Sequence, residues 1–364
     1  MELIKECFGD MSDFRLSRKR LHSLIDIIFI CICGVICGEE DYVGIRFWAV
    51  DNEQWLKQYI GLANGIPSDD TFRRVFQLLD YQEFSKCFIS FTNRISTLSL
   101  GEVVSIDGKC LRGSKENKSG KKGIYMVGAW ANKNQVLLGQ EKVEEKSNEI
   151  TCIPKLLELL VLKGCIITID AMGCQRDIAQ KIVEKEANYI LAVKGNQPSL
   201  ESQIIRSFEF QEPLSTHKIE KKAHGRLETR TCEVITDLKW IEEKENWKDL
   251  NTIIKVSSKR HIISENKITE NVRYFISNQV FNAEKMLYCI RSHWGIENNL
   301  HWQLDISFHE DMNRNRTLNA AANFSFLNRI ALNVLKKDES KMSIKHKRNK
   351  ANRDNEYLKT VLNI

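Results

Sequence analysis

Three acidic residues define the chemistry this chain could do. Val104-Ser105-Ile106-Asp107-Gly108-Lys109 is a short β-branched run that delivers an aspartate and then a glycine. Ile166-Ile167-Thr168-Ile169-Asp170-Ala171-Met172-Gly173 has the same pattern. A buried strand ending in a carboxylate is a common way to bring an acid to the edge of an α/β sheet. The third acid, Glu297, lies in Ile290-Arg291-Ser292-His293-Trp294-Gly295-Ile296-Glu297-Asn298-Asn299-Leu300-His301-Trp302. That segment reads as helix, with His293 one turn before Glu297 and His301 one turn after. An acid on an apolar helix face is costly unless it has a partner. A divalent cation held jointly with Asp107 and Asp170 would be that partner, and hard oxygen ligands select Mg²⁺ or Mn²⁺. Two such ions bridged by three carboxylates can activate a water or a 3′-hydroxyl for in-line phosphoryl displacement. Each acid alone has a plainer reading: aspartate before glycine commonly marks a turn, and helix glutamates are commonly solvated.

The elements that must position these acids can be read in order. Residues 1–95 are helical in pattern. Leu21 to Cys37 reads as one long apolar helix and Tyr42 to Tyr59 as a second. After a turn over Gly61 to Pro67, Ser68-Asp69-Asp70 supplies N-cap chemistry for a helix from Thr71 to Leu79. That helix carries Arg73 and Arg74 on its exposed side and, with its tight preceding turn, is similar to a helix-turn-helix; a plain helical hairpin is the alternative. Tyr81 to Leu98 is a further amphipathic helix. From Val103 the pattern turns to strands: Val103–Asp107, then a hairpin of Gly123–Ala131 and Gln135–Lys142, a helix from Thr151 to Lys163, the strand Cys165–Asp170, a helix from Asp177 to Glu186, and the strand Tyr189–Val193. That order is the order of a ribonuclease-H-like mixed sheet with helices on its faces. Residues 206–280 read as a β-rich insertion, followed by helices over Ala283 to Leu304 and Leu318 to Leu335. The expected organisation is a helical domain over 1–98, an α/β catalytic domain over 99–335 and a basic, polar, poorly ordered tail over 336–364.

Composition narrows the class. The chain has 364 residues, 42% apolar and 28% charged, which is ordinary globular usage. The net charge of +6 is too small to imply a polyanionic partner by itself, but its distribution is uneven. Arg15, Arg18, Lys19 and Arg20 cluster near the start, and Lys341, Lys345, His346, Lys347, Arg348 and Lys350 near the end, as phosphate contacts or as solvated tails. The eleven cysteines are scattered without zinc spacing and read as reduced thiols of a cytoplasmic protein. No signal peptide is recognised at the N-terminus. The apolar run Ile27 to Gly38 is shorter than the roughly 20 residues a membrane span needs, so it reads as a core helix, with no membrane partner.

Several blocks carry a resemblance. They are Ile106-Asp107-Gly108-Lys109-x-Leu111-Arg112, Ile169-Asp170-Ala171-Met172-Gly173-Cys174-Gln175, Val193-Lys194-Gly195-Asn196-Gln197, His224-Gly225-Arg226-x-Glu228-x-Arg230 and the helical block around Glu297. Together they resemble the ISAs1 family of insertion-sequence transposases, which includes the H-repeat-associated proteins. Gly65-Ile66-Pro67-Ser68-x-Asp70-Thr71-Phe72 resembles that family's associated N-terminal domain, so the similarity covers nearly the whole chain. The resemblance implies a DDE transposase related to the IS4 group. Its core would be ribonuclease-H-like, with a β-rich insertion between the second aspartate and the glutamate. It implies cleavage of insertion-sequence ends and transfer of the 3′-hydroxyl strand to target DNA, with two Mg²⁺ or Mn²⁺ ions. The partners are inverted-repeat ends and target DNA, and pairing two ends requires at least a homodimer. A DNA-binding protein without activity, or a ribonuclease-H-like nuclease without strand transfer, are the alternatives.

Carried over residue by residue, Asp107, Asp170 and Glu297 would be the catalytic metal ligands. The wider IS4 group places a tyrosine, an arginine and a lysine at set distances around its glutamate. Here those positions hold Ile290, His293 and Leu304. Arg291 and His301 are the alternative phosphate contacts, and His293 stands with them as a DNA-facing candidate. Lys109, Arg112 and Lys194 lie just past strand ends, where they suit backbone phosphates. His224, Arg226 and Arg230 suit contact with the element end, with a solvated hairpin as the alternative. Trp294 and Trp302 read as buried packing, with stacking on a splayed base as the alternative.

Overall fold

The computed structural model describes residues 1–116, 120, 122–144, 148–223 and 225–363. Six helices come first: α1 (Glu2–Phe8), α2 (Leu24–Ile36), α3 (Tyr42–Asp51), α4 (Glu53–Leu56), α5 (Asp69–Leu78) and α6 (Tyr81–Ile95). Ser23, Asp41, Ser68 and Asp80 cap α2, α3, α5 and α6 by accepting backbone N–H groups, which satisfies donors the helix cannot. Every residue of α2 from Ile27 to Ile36 is buried, which accounts for its apolar run. The expected helix from Tyr42 to Tyr59 is broken at Asn52, whose side-chain amide donates to the Trp48 carbonyl at 2.9 Å. Such a local bond competes with the helical ladder. Among the described residues, no helix is long and apolar enough to cross a membrane.

The sheet follows: β1 (Val103–Leu111), β2 (Ile124–Ala131), β3 (Val136–Lys142), α7 (Glu149–Leu159), β4 (Ile166–Ile169), α8 (Arg176–Glu184), β5 (Asn188–Val193), α9 (Pro198–Phe210), β6 (Ser215–Ala223), β7 (Arg226–Ile235), β8 (Thr252–Ile262) and β9 (Lys267–Ser277). The strand order is β3-β2-β1-β4-β5-β9-β8-β7-β6. β1, β2 and β3 form an antiparallel meander, while β4 and β5 add in parallel. That is the topology of a ribonuclease-H-like fold. The strands between Asp170 and Glu297 extend this same sheet, because β9 pairs antiparallel with β5. Their inner halves are apolar: Val234, Ile254, Val256 and Phe275 are buried with residues of the helix that follows.

β1 does not end at Asp107, as its sequence pattern suggests. Its parallel pairing with β4 stops at Ile106–Ile169, but its pairing with β2 continues to Leu111–Ile124. Asp107 and Asp170 are therefore the first residues beyond the shared register of two neighbouring strands.

After β9 come α10 (Ala283–Ser292), α11 (Trp294–Ile296), a π-helical turn (Glu297–His301), α12 (Trp302–Ser307), α13 (Ala320–Lys337), α14 (Ile344–Arg353) and α15 (Asn355–Leu362). The expected single helix over Ala283–Leu304 is thus interrupted at the catalytic candidate. α13 is buried along most of its length and joins the N-terminal helices and the sheet in one continuous core. The expected disordered tail is instead α14 and α15, with Lys347 and Arg348 buried. The Lys347 ammonium donates to the Leu335 and Asp338 carbonyls. The Arg348 guanidinium donates to the carbonyls of Val35, Glu39 and Ser307. A basic run looks solvated in sequence because nothing local shows that carbonyls from distant helix ends will surround it. The cysteines are free, and all but Cys87 and Cys110 are buried.

Candidate active site

Asp107, Asp170 and Glu297 line one cleft of about 640 Å³. Sheet register supplies the two aspartates and the helical segment after α10 supplies the glutamate. Carboxylate or imidazole atoms of Asp107, Glu297 and His301 lie within 4.8 Å of one another. Asp170 faces the same cleft but stands outside that close group. Its Oδ1 accepts the backbone N–H groups of Met172 and Gly173 at 3.1 and 3.4 Å.

Burial pushes the Asp107 carboxyl up to about 7. The Gly108 N–H, donating at 2.9 Å, opposes this, while the charges of Asp170, Glu297 and Glu149 add to it. A carboxyl raised by burial and by neighbouring acids fits a divalent cation as its counter-charge. The donor set of Asp107, Asp170 and Glu297 is hard oxygen, as Mg²⁺ or Mn²⁺ prefers.

Glu149 is a fourth acid that sequence reasoning did not single out. It opens α7, and an ideal Cβ on Gly108 would lie 2.6 Å from its carboxylate. Only glycine after Asp107 permits that approach. Gly295 does similar work, since a Cβ there would meet the Asn132 side chain in the β2–β3 turn. This contact seats the helical segment over β1. The π turn then begins at Glu297. Single π turns widen a helix locally and recur at functional sites.

His301 is buried, and its Nδ1 lies 2.9 Å from the Glu297 Oε2 and 3.7 Å from the Asp107 Oδ2. Burial holds its pKa below the usual histidine value. A neutral imidazole facing a carboxylate must carry its proton on Nδ1. His301 therefore donates to Glu297 and orients it, and the expected phosphate contact is replaced by this role. His293 does line the cleft. Thr168 Oγ1 donates to Ser105 Oγ at 3.2 Å, and the Asn132 amide donates to the same hydroxyl at 2.8 Å. Thr168 then accepts from His293 Nδ1 at 3.1 Å. Ser105 and Thr168 stand two residues before each aspartate, on the same strand face, a signal present in the sequence and not used.

The basic candidates divide. Lys109 is largely buried and donates to Asp305 at 2.6 Å, so it braces β1 against α12 instead of facing DNA. Arg112 is 81% exposed in its side chain and lies 3.5 Å from Asp311. Lys194 is exposed just past β5. Arg230 and Arg291 line the cleft. Arg226 and Arg230 share Glu228, at 3.4 and 2.6 Å, and His224 lies outside the described residues. On α5, Arg73 pairs with Asp69 and Asp70 on its own first turn, while Arg74 is exposed. Trp294 and Trp302 are not packed inside: they are 68% and 53% exposed. Each flanks the acid-bearing turn, where the apolar neighbours that suggested burial point to the opposite face of the helix.

Comparison with known proteins decides the family. Residues 98–334 match the family described as "Transposase DDE domain", and residues 5–92 match the one described as "DDE_Tnp_1-associated". The chain belongs to the DDE transposase family. It is 41% identical over 362 residues to "Putative transposase YncI" of Escherichia coli O157:H7, covering 96% of this chain and 92% of that protein. It is 39% identical to "H repeat-associated putative transposase YhhI" of Escherichia coli K12, covering 100% and 98%. A shorter K12 relative, "Inactive transposase YbfQ", is 41% identical over 77 residues, 21% of this chain and 92% of that one. Among solved structures, a piggyBac transposase synaptic complex with hairpin DNA aligns at a TM-score of 0.46 and 12% identity, covering 100% of this chain and 78% of that one. Family members of this kind generally use a divalent metal; the close group of possible ligand atoms in this DDE protein is Asp107, Glu297 and His301, with Asp170 facing the same cleft.

Proposed function

We propose that this chain is an active DNA transposase that cuts the ends of its own insertion sequence and joins them to target DNA. The observation that carries the reading is the convergence of Asp107, Asp170 and Glu297 on a cleft whose rim bears Arg230 and Arg291. In the first step a water oxygen bonds the scissile phosphorus and the P–O3′ bond breaks, leaving a 3′-hydroxyl on the element. In the second, that 3′-oxygen bonds a target phosphorus and displaces the target's own 3′-oxygen. Two divalent ions, Mg²⁺ or Mn²⁺, held by Asp107, Asp170 and Glu297 would supply the Lewis acidity for both steps. His301 keeps the Glu297 carboxylate aimed inward. Arg291 and Arg230 hold backbone phosphates, and the exposed rings of Trp294 and Trp302 offer stacking surface to unpaired bases. Residues 1–98 are read as an accessory DNA-binding domain using Arg74, and 99–335 as the catalytic domain. Pairing two ends requires at least a homodimer, and the protein would act in the cytoplasm.

The test is an in-vitro reaction with labelled duplexes carrying the element's terminal repeats, in Mg²⁺ and in Mn²⁺. Metal-dependent cutting and joining, both abolished by Asp170→Asn, are expected. Cutting without joining would reduce the protein to a nuclease, and binding without cutting would leave a DNA-binding relic.

A further inference from the structure

Arg273 takes no part in the foregoing, yet it lines the cleft that holds the three acids. It also lines the neighbouring cavity of about 340 Å³, which holds Lys194, Ile190 and Phe275. Register explains the placement. Val193 pairs with Tyr274, so the next step along these antiparallel strands sets Lys194 opposite Arg273. β4, β5 and β9 are consecutive in the sheet, so Asp170, Lys194 and Arg273 stand side by side at one end of it.

The other arginines of these strands share one carboxylate, which offsets a single charge of the three. Arg226, Arg230 and Arg260 all pair with Glu228. Among the described residues, Arg273 has no ion-pair or hydrogen-bond partner. Arg273 lies at the surface of the cleft, and the little burial it has, with the like charge of Arg230, acts against its cation. A guanidinium held beside another cation, with no carboxylate of its own, gains most from a planar anion.

We propose that Arg273, with Lys194 beside it, grips a backbone phosphate adjacent to the scissile one and so fixes where the strand meets Asp107 and Asp170. The proposal rests on the DNA reading above. It assigns the strand's path along the β4–β5–β9 end of the sheet, away from the β2–β3 hairpin.

The experiment measures binding of a 30-bp duplex carrying the terminal repeat, in EDTA to block cutting, across a salt series. Arg273→Gln should weaken binding about tenfold, the loss of one charge-assisted contact. It should also make the log–log salt slope shallower by about one phosphate's share, 0.9. Arg273→Lys should keep the slope and lose only part of the affinity. Lys255→Gln, on the opposite sheet face and paired with Glu233 at 2.9 Å, should change neither. Duplexes with one neutral methylphosphonate then locate the contact: one position beside the scissile phosphate should weaken the wild type and be silent in Arg273→Gln. Additive penalties at every position, or an unchanged slope in Arg273→Gln, overturn the proposal. A wild type that binds no duplex overturns the parent reading as well, and so the two failures are distinct.

Discussion

Asp107 keeps its proton toward neutral pH because it is half-buried and surrounded by acids. Its folded pKa of about 7 lies above its ordinary value of 3.8. Between those values the folded state binds more protons than the unfolded one, so this group's contribution to stability falls as pH rises. Asp107→Asn should therefore raise the melting temperature of metal-free protein at pH 8, and the gain should shrink toward pH 4. Equal gains at both pH values would mean that the charge is not what costs stability. His301 offers a second test. Without its N–H, Glu297 loses its orienting donor, and partners of this kind are typically worth 10- to 100-fold in metal affinity or activity. His301→Ala should lower Mn²⁺ affinity by about that factor, with His301→Asn recovering part because its amide can reach the same oxygen. Full Mn²⁺ affinity in His301→Ala would show that Glu297 is held by something else.

The acids on β1 and β4 were legible because β-branched runs ending in aspartate are a pattern of one short segment. Glu297 was legible from its flanking histidines. The path of the helix that carries it was not. The π turn at Glu297–His301 and the seating of Gly295 on Asn132 depend on a contact between segments far apart in sequence. Likewise, Glu149 reaches the site only because Gly108 lacks a side chain, and Arg273 is placed by strand register. No local window contains these facts. Gly295→Ala tests the seating. Its added methyl must push Asn132 aside or lift the helix, at a cost of about 1–3 kcal/mol. The expected outcome is reduced stability by chemical denaturation with a larger fractional loss of cleavage. An unchanged cleavage rate would mean that Glu297 does not depend on that contact.

Across the whole molecule the largest surprise is the chain's last segment. Composition marks 336–364 as basic and polar, which suits a solvated tail equally well. Two of those charges turn inward, with Lys347 and Arg348 donating to carbonyls from α2, α12 and α13, while Lys341, Lys345, His346 and Lys350 stay exposed. Arg348→Met would take the guanidinium from the Ser307 and Glu39 carbonyls, while Val35 keeps the Gly38 N–H; a buried carbonyl left unpaired costs about 1–3 kcal/mol. The expected result is a loss of about 2–5 kcal/mol in urea unfolding, with DNA affinity per folded molecule unchanged. If DNA affinity fell and stability held, α14 would be a nucleic-acid contact after all.

The Arg348 contact with Val35 spans 313 positions of sequence. A ribosome adding 5–20 residues per second needs roughly 15 to 60 s to travel that far. During that interval α2 has been made with its Val35 carbonyl held by the Gly38 N–H alone, and α12 is still unbraced at Ser307. Synthesis thus imposes an order of assembly in which the brace on α12 forms late. A message broken before codon 348 would yield chains that lack this closing strut.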